Sequence, residues 1–181
     1  LTEIYSIDLY LGKTSLSTSA VPMLAGTILF GPIAGAILSA TYAVSVGIKY
    51  RSKFNKYIFN FSNQLIALIL YTILLNLLGQ PLSNYSIVLQ ALLVVSAALL
   101  VYFSNTWLIS IGMGIDLHQA PIVIWKEQYA WLVSIYAGIG LIATAYIFGY
   151  RSDGVFGSLL MMVPLLLLRI SQKQYVDRTR K

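Results

Sequence analysis

The chain contains no cysteine and a single histidine in 181 residues. Disulfides, thiolate metal sites and thiol nucleophiles are therefore excluded, and one chain cannot build a site from several histidine ligands. No Ser-His-Asp arrangement accompanies His118. We therefore expect no enzymatic activity, no bound metal and no cofactor.

Charge is also scarce, since charged residues make up 10% of the sequence, against about a quarter in a soluble domain. Hydrophobic residues make up 58%, and several apolar runs approach or exceed the roughly 20 residues that cross a bilayer as a helix. This pattern predicts an all-α polytopic membrane protein. Its six-helix membrane domain occupies residues 14–170, with transmembrane segments at Thr14–Phe30, Pro32–Ile48, Ile58–Leu78, Tyr85–Trp107, Tyr129–Phe148 and Val155–Ile170.

The basic residues predict the orientation of these segments. Lys49, Arg51, Lys53 and Lys56 lie between the second and third segments without an acidic residue among them, and lysine and arginine mark the cytoplasmic side. Alternation from this loop places both ends of the chain in the cytoplasm. Every lysine and arginine except Arg151, which is expected to pair with Asp153, then lies inside. The charge of +6 is thus explained by topology, and nucleic acid is not an expected partner.

The loop at 109–128 and the two ends lie outside the predicted spans. Trp125 and Lys126 stand among apolar residues in the loop, which favours a helix lying in the headgroup region. We expect residues 1–13 to form an interfacial arm or the truncated end of a longer N-terminal region. From Leu165 onward the chain has no glycine or proline, so the sixth helix is expected to continue into the cytoplasm as a signalling helix stub at 171–181.

A stripe of small residues follows the first segment. Gly31 can end one helix and Pro32 can start the next, since proline suits the first helical position. Gly31, Gly35 and Ser39 recur at spacings of four residues, which lets helix backbones pack closely. The stretch predicts a tight helical hairpin, with close approach of the backbone to a ligand as the alternative.

Two groups of polar residues are candidates for ligand binding. Ser15, Ser17 and Ser19 belong to a hydroxyl run at the start of the first segment. They either cap the helix and bond local carbonyls or form the rim of a pocket. Asn60, Asn63 and Gln64 share one face of the third segment, and amides at membrane depth must find partners. Either interhelical hydrogen bonds or a ligand pocket would satisfy them.

Several stretches together resemble a bacterial membrane-embedded sensor domain. They are Ser15–Ala20, Leu29–Ala36, Phe59-Asn60, Trp125–Gln128 and Pro164–Ser171 with Tyr175. In that family the domain precedes cytoplasmic HD-GYP or GGDEF modules, which degrade or make cyclic-di-GMP. The resemblance implies a sensory domain of the bacterial inner membrane that regulates such a module after Lys181. Its expected partners are the lipid bilayer, this output module, a small-molecule ligand and a second copy in a homodimer.

The stretch Leu29–Ala36 also resembles the S-components of energy-coupling-factor transporters. S-components are six-helix, substrate-binding membrane subunits with both ends inside. This second resemblance implies the alternative function, a substrate-binding subunit of a transporter for a vitamin or another small molecule.

Overall fold

The computed structural model describes residues 7–8, 15–16, 20–49, 54–77 and 81–179. Within them the chain forms five α-helices and one short β ladder. The helices are α1 (Ala20–Lys49), α2 (Phe54–Leu77), α3 (Ile87–Leu117), α4 (Pro121–Gln128) and α5 (Val133–Thr179). Strands β1 (Ile7–Asp8) and β2 (Ser15–Leu16) pair antiparallel. Short 3-10 helices at Leu82–Asn84 and Ala130–Leu132 precede α3 and α5.

Four helical stretches of the described chain are long and apolar enough to cross a membrane. They are Ala20–Ile48, Tyr57–Leu74, Ile87–Leu117 and Ala130–Val163, with mean hydropathy between 1.4 and 2.3. The expected all-α membrane protein is confirmed. The first and last of these stretches each contain a break, at Gly31 and at Asp153-Gly154.

The chain reverses direction at Gly31. This residue has φ 83° and ψ −178°, a conformation open essentially only to glycine. Thr27 and Gly35 lie on opposite sides of the break, yet a methyl group on Gly35 would lie 2.6 Å from Thr27 Oγ1. Eight residues of a continuous helix extend about 12 Å, so residues 32–49 must fold back along residues 20–30.

A second reversal lies in α5. Gly154 has φ 60° and ψ −137°. The backbone carbonyl of Gly149 lies directly against the position that a Cβ of Gly157 would take. Residues eight apart contact in this way only where the helix turns back on itself. The halves of α5, residues 133–152 and 155–179, therefore form a second hairpin with backbone in contact at Gly149 and Gly157.

Two predicted helix ends differ from the structure. The first helix begins at Ala20 and not at Thr14, because Ser15–Leu16 pairs with β1. The fourth predicted segment ends at Trp107, whereas α3 continues to Leu117 through two glycines. It stops where His118 adopts the left-handed conformation and its N–H bonds Gly114 O, a common helix C-terminus. The last helix, by contrast, continues past Ile170 to Thr179, in the direction that the absence of glycine and proline predicts.

The helices bury small and polar side chains and expose large apolar ones. Four of the eleven buried residues of the main core are alanines, at positions 25, 97, 98 and 143, and Ser39, Asn63, Thr106 and Ser110 are also buried. Leu77, by contrast, is 79% exposed and Ile33 76% exposed. Membrane helices pack through small and polar residues and leave large apolar surfaces for lipid, so this distribution fits a bilayer.

Helix α4 packs against α3 through aromatic residues. Ile124 of α4 is buried beside Tyr102 of α3. The Trp125 indole donates a hydrogen bond to Thr106 Oγ1 at 3.0 Å and stacks on Phe103, with ring centroids 5.8 Å apart. Ile122 and Val123 remain exposed on the other side. These contacts fix α4 against the end of the bundle that also holds His118.

Candidate functional site

A cavity of about 110 Å³ lies between α1, α2, α3 and the start of α5, within the membrane-spanning part of the bundle. An engineered cavity of about 150 Å³ in another protein binds benzene, and one water needs only 10–15 Å³. The space therefore has the size of a small ring. Its described lining residues are Ala20, Met23, Leu24, Thr27, Ser39, Tyr42, Gln64, Ala67, Leu68, Tyr71, Val101, Asn105, Leu132 and Tyr136.

The reversal at Gly31 builds one wall of this cavity. It brings Met23 and Thr27 from the first half of α1 beside Ser39 and Tyr42 from the second half. A straight helix of this length could not place these residues around one space. The wall therefore depends on the hairpin as well as on the side chains.

The described lining is mainly apolar, with several polar side chains and no charged one. Ser39 is only 3% exposed, and neither its hydroxyl nor the Gln64 amide has a hydrogen-bond partner among the described residues. The Thr27 hydroxyl, in contrast, donates to Met23 O at 2.8 Å. The described part of the chain offers no cluster of three histidine or acidic residues that could hold a metal. The cavity therefore keeps hydrogen-bonding groups available but no ionic ones.

An amide pair closes one side of the cavity. Asn63 Nδ2 of α2 donates to the backbone O of Asn105 on α3 at 3.2 Å and also contacts Asn105 Oδ1. Asn105 lines the cavity, whereas Asn63 does not, and Asn63 Oδ1 has no hydrogen-bond partner among the described residues. The pair joins α2 to α3 beside the cavity.

The ligand-binding candidates from the sequence separate in the structure. Gln64 lines the cavity, Asn63 bonds Asn105, and Asn60 lies one turn away, outside the lining. Ser15 belongs to the β ladder, and Ser17 and Ser19 lie outside the described residues. Whether any of them binds a ligand stays a prediction.

The four packing candidates all lie in α1. Gly31 forms the reversal and Pro32 begins the returning half. Gly35 lies against Thr27 and Leu68, with hypothetical Cβ distances of 2.6 and 2.7 Å. Ser39 is buried and lines the cavity. The small-residue stripe thus contributes both the reversal and part of the cavity wall.

Sequence reasoning missed the three tyrosines of the lining, Tyr42, Tyr71 and Tyr136. None of the three is a candidate in the sequence analysis, because tyrosine is common in membrane proteins and is enriched near the membrane–water interfaces. Their position well inside apolar segments is the signal that could have found them. Tyr71 lines the cavity. Its hydroxyl oxygen is buried and has no hydrogen-bond partner among the described residues, so the ring and not the hydroxyl faces the cavity.

Polar contacts also join helices at each end of the bundle. Arg151 Nη1 donates to Gln90 Oε1 at 2.9 Å, and Gln90 Nε2 donates to Tyr85 O at 2.7 Å. Arg151 therefore ties α5 to α3, and its partner among the described residues is Gln90 and not the expected Asp153. At the other end, Tyr102 Oη donates to Tyr129 O at 2.8 Å. The Tyr129 hydroxyl in turn donates towards Met113 Sδ, 3.5 Å away.

Removing the hydroxyl from each of two buried tyrosines should change the free energy of unfolding differently. Tyr102→Phe removes the hydrogen bond to Tyr129 O and should lower the free energy of unfolding by about 1 kcal/mol. Tyr71→Phe removes a buried hydroxyl that has no partner among the described residues, so it should leave stability unchanged or raise it by up to about 1 kcal/mol. Unfolding of both purified variants in detergent tests this contrast. Equal destabilisation by the two changes would contradict the assigned hydrogen bonding.

Comparison of the chain with protein-family models, curated proteins and solved structures finds no match. The residues of this protein, its cavity and its two chain reversals are therefore what indicates its function.

Proposed function

We propose that this chain is a membrane-embedded sensory domain that detects a small molecule and regulates a cytoplasmic cyclic-di-GMP enzyme module. The observation that carries the proposal is the placement of α5. Its first half lines the cavity through Tyr136, and its second half packs backbone to backbone on the first at Gly149 and Gly157. That second half then continues as a helix to Thr179, through the basic segment.

The two reversals support an arrangement with six membrane segments. Residues 32–49, 133–152 and 155–179 would each be long enough for a crossing at 1.5 Å per residue. Residues 20–30 would extend only about 16 Å, which suits a segment buried inside the bundle. In this arrangement α4 lies at the cytoplasmic interface of a bacterial inner membrane, and both ends of the chain are cytoplasmic.

The sensory mechanism follows from the contacts between the two halves of α5. A ligand shifts a conformational equilibrium only if it binds the two states unequally. A ligand in the cavity touches the first half of α5 at Tyr136. A change in that half would reach the second half through the Gly149–Gly157 contact and leave the membrane along the basic helix. The output module itself is proposed from the sequence resemblance described above.

A substrate-binding subunit similar to an S-component is the second candidate. The reversals at Gly31 and Gly154 favour it, because they would give six segments with both ends on one side. In that function the cavity would hold a transported molecule, and a separate energising complex would replace the fused output module.

The coding sequence downstream of Lys181 distinguishes these functions. The sensory proposal predicts an HD-GYP or GGDEF module in the same reading frame. A stop codon directly after Lys181 would contradict the sensory proposal. Copurification with an ATPase complex would then support the transporter subunit.

A further inference from the structure

We propose that the cavity between α1, α2, α3 and α5 binds an uncharged, ring-sized molecule that carries a hydrogen-bonding group. This inference names the ligand class of the sensory function proposed above and rests on that function only for the ligand's role as a signal. Three properties of the cavity carry it: the lack of charged residues in the described lining, the polar groups without a described partner, and the volume.

The lining excludes ionic ligands. None of the described lining residues is an aspartate, glutamate, lysine, arginine or histidine. An ion placed there would lose its hydration without a counter-charge, which costs several kcal/mol per ion in real proteins. Charged groups at membrane depth normally face a partner charge or a water-filled path. A neutral ligand avoids this cost.

The free polar groups supply an anchor for such a ligand. The Gln64 amide can donate and accept hydrogen bonds, and it has no partner among the described residues. The Ser39 hydroxyl across the cavity, on α1, is also without a described partner. Polar groups at membrane depth are costly when unsatisfied. A ligand hydroxyl, carbonyl or amide would satisfy them.

The rest of the lining suits a flat apolar body. Tyr42, Tyr71 and Tyr136 contribute aromatic side chains, while Leu24, Leu68 and Leu132 contribute aliphatic ones. Aromatic and aliphatic walls with a few polar groups are typical of small-molecule sites. The volume of about 110 Å³ admits a single ring with a small substituent.

Four probes of similar shape separate charge from polarity: benzyl alcohol, toluene, benzoate and benzylammonium. Their binding to the full chain in lipid nanodiscs is measured by titration calorimetry, with empty nanodiscs subtracted. Benzyl alcohol should bind saturably, and both ions should bind at least about tenfold more weakly, which corresponds to 1.4 kcal/mol.

Gln64→Leu tests the anchor at nearly constant side-chain size. It should weaken benzyl alcohol about tenfold while leaving toluene unchanged, and retained toluene binding shows that the cavity has stayed folded. Asn60→Leu is the matched control, because Asn60 lies one turn earlier on the same helix and outside the lining. It should change neither affinity.

Three results would overturn the inference: no saturable binding of benzyl alcohol, ions that bind as tightly as the alcohol, or equal effects of the Gln64 and Asn60 variants. These failures are distinct from failure of the sensory function. An output module encoded after Lys181, combined with failed probes, would leave the sensory proposal standing with the wrong ligand class. A stop codon combined with successful probes would leave the cavity assignment without the sensory role.

Discussion

Gly157→Ala is expected to abolish the native packing of α5, with a loss of about 3 kcal/mol or more from the free energy of unfolding. The new methyl group would fall on the Gly149 carbonyl, and the neighbouring Asp153 Cβ lies 3.2 Å from the same position. Backbone atoms cannot rotate away as a side-chain end can. The two halves of α5 would have to separate, which removes the close contact that glycine permits.

Gly138→Ala is the matched control for this variant. Gly138 lies in the same helix and has no atom within 4 Å of its hypothetical Cβ. Alanine there should raise stability by up to about 1 kcal/mol through helix propensity alone. Both variants are compared by denaturant unfolding in the same detergent and by size-exclusion profile. Equal behaviour of the two would show that the halves of α5 do not contact at Gly157.

Gly31→Ala is expected to destabilise the protein by about 1–3 kcal/mol through backbone strain. Its φ of 83° disfavours any residue with a Cβ. Among the described residues, a methyl group at Gly31 would meet nothing within 4 Å, so no steric contact with them opposes this variant. The strain would act on the reversal that builds the α1 wall of the cavity. Unfolding free energy and benzyl alcohol affinity should therefore fall together.

Gly138→Ala again provides the comparison, because both glycines have open space around them and only Gly31 requires positive φ. A stable Gly31→Ala variant with unchanged ligand affinity would contradict the reversal at this residue. The two glycine experiments thus test the two hairpins by different physical effects, one by steric contact and one by backbone conformation.

Much of the fold could be predicted from the sequence. Long apolar runs separated by polar loops predict membrane helices, and the Gly31-Pro32 pair marks the place where α1 breaks. The predicted start of the first helix was wrong because hydropathy cannot detect the strand pairing of Ser15–Leu16. The predicted end of α3 was wrong because the helix continues through Gly112 and Gly114, where the sequence predicts a loop. In the structure Gly114 lies where Gln119 and Pro121 pack close to the helix.

The site was less predictable than the fold. Asn63 and Gln64 were grouped because they share one face of a helix. In the structure Asn63 bonds Asn105, whereas Gln64 lines the cavity, because different neighbouring helices lie beside each side chain. Tyr42 and Tyr136 lie far apart in sequence, and only the α1 reversal and the packing of α5 bring both to the cavity. Periodicity describes one helix at a time, so it does not identify residues that converge from several helices.

The most direct test is to measure on which side of the membrane each end of the second hairpin lies. Single cysteines can be introduced cleanly because the chain has none. Ser152→Cys probes the reversal in α5, Ser171→Cys probes the basic segment, and Asn84→Cys is the external reference. Each variant is exposed to a membrane-impermeant maleimide in spheroplasts, before and after permeabilisation.

The six-segment arrangement predicts that Ser152→Cys and Asn84→Cys react in intact spheroplasts, whereas Ser171→Cys reacts only after permeabilisation. A continuous crossing by residues 130–163 would instead bury position 152 in the bilayer and place position 171 outside. Labelling of Ser171→Cys in intact spheroplasts, with Ser152→Cys protected, would therefore contradict the hairpin in the membrane and the proposed cytoplasmic output.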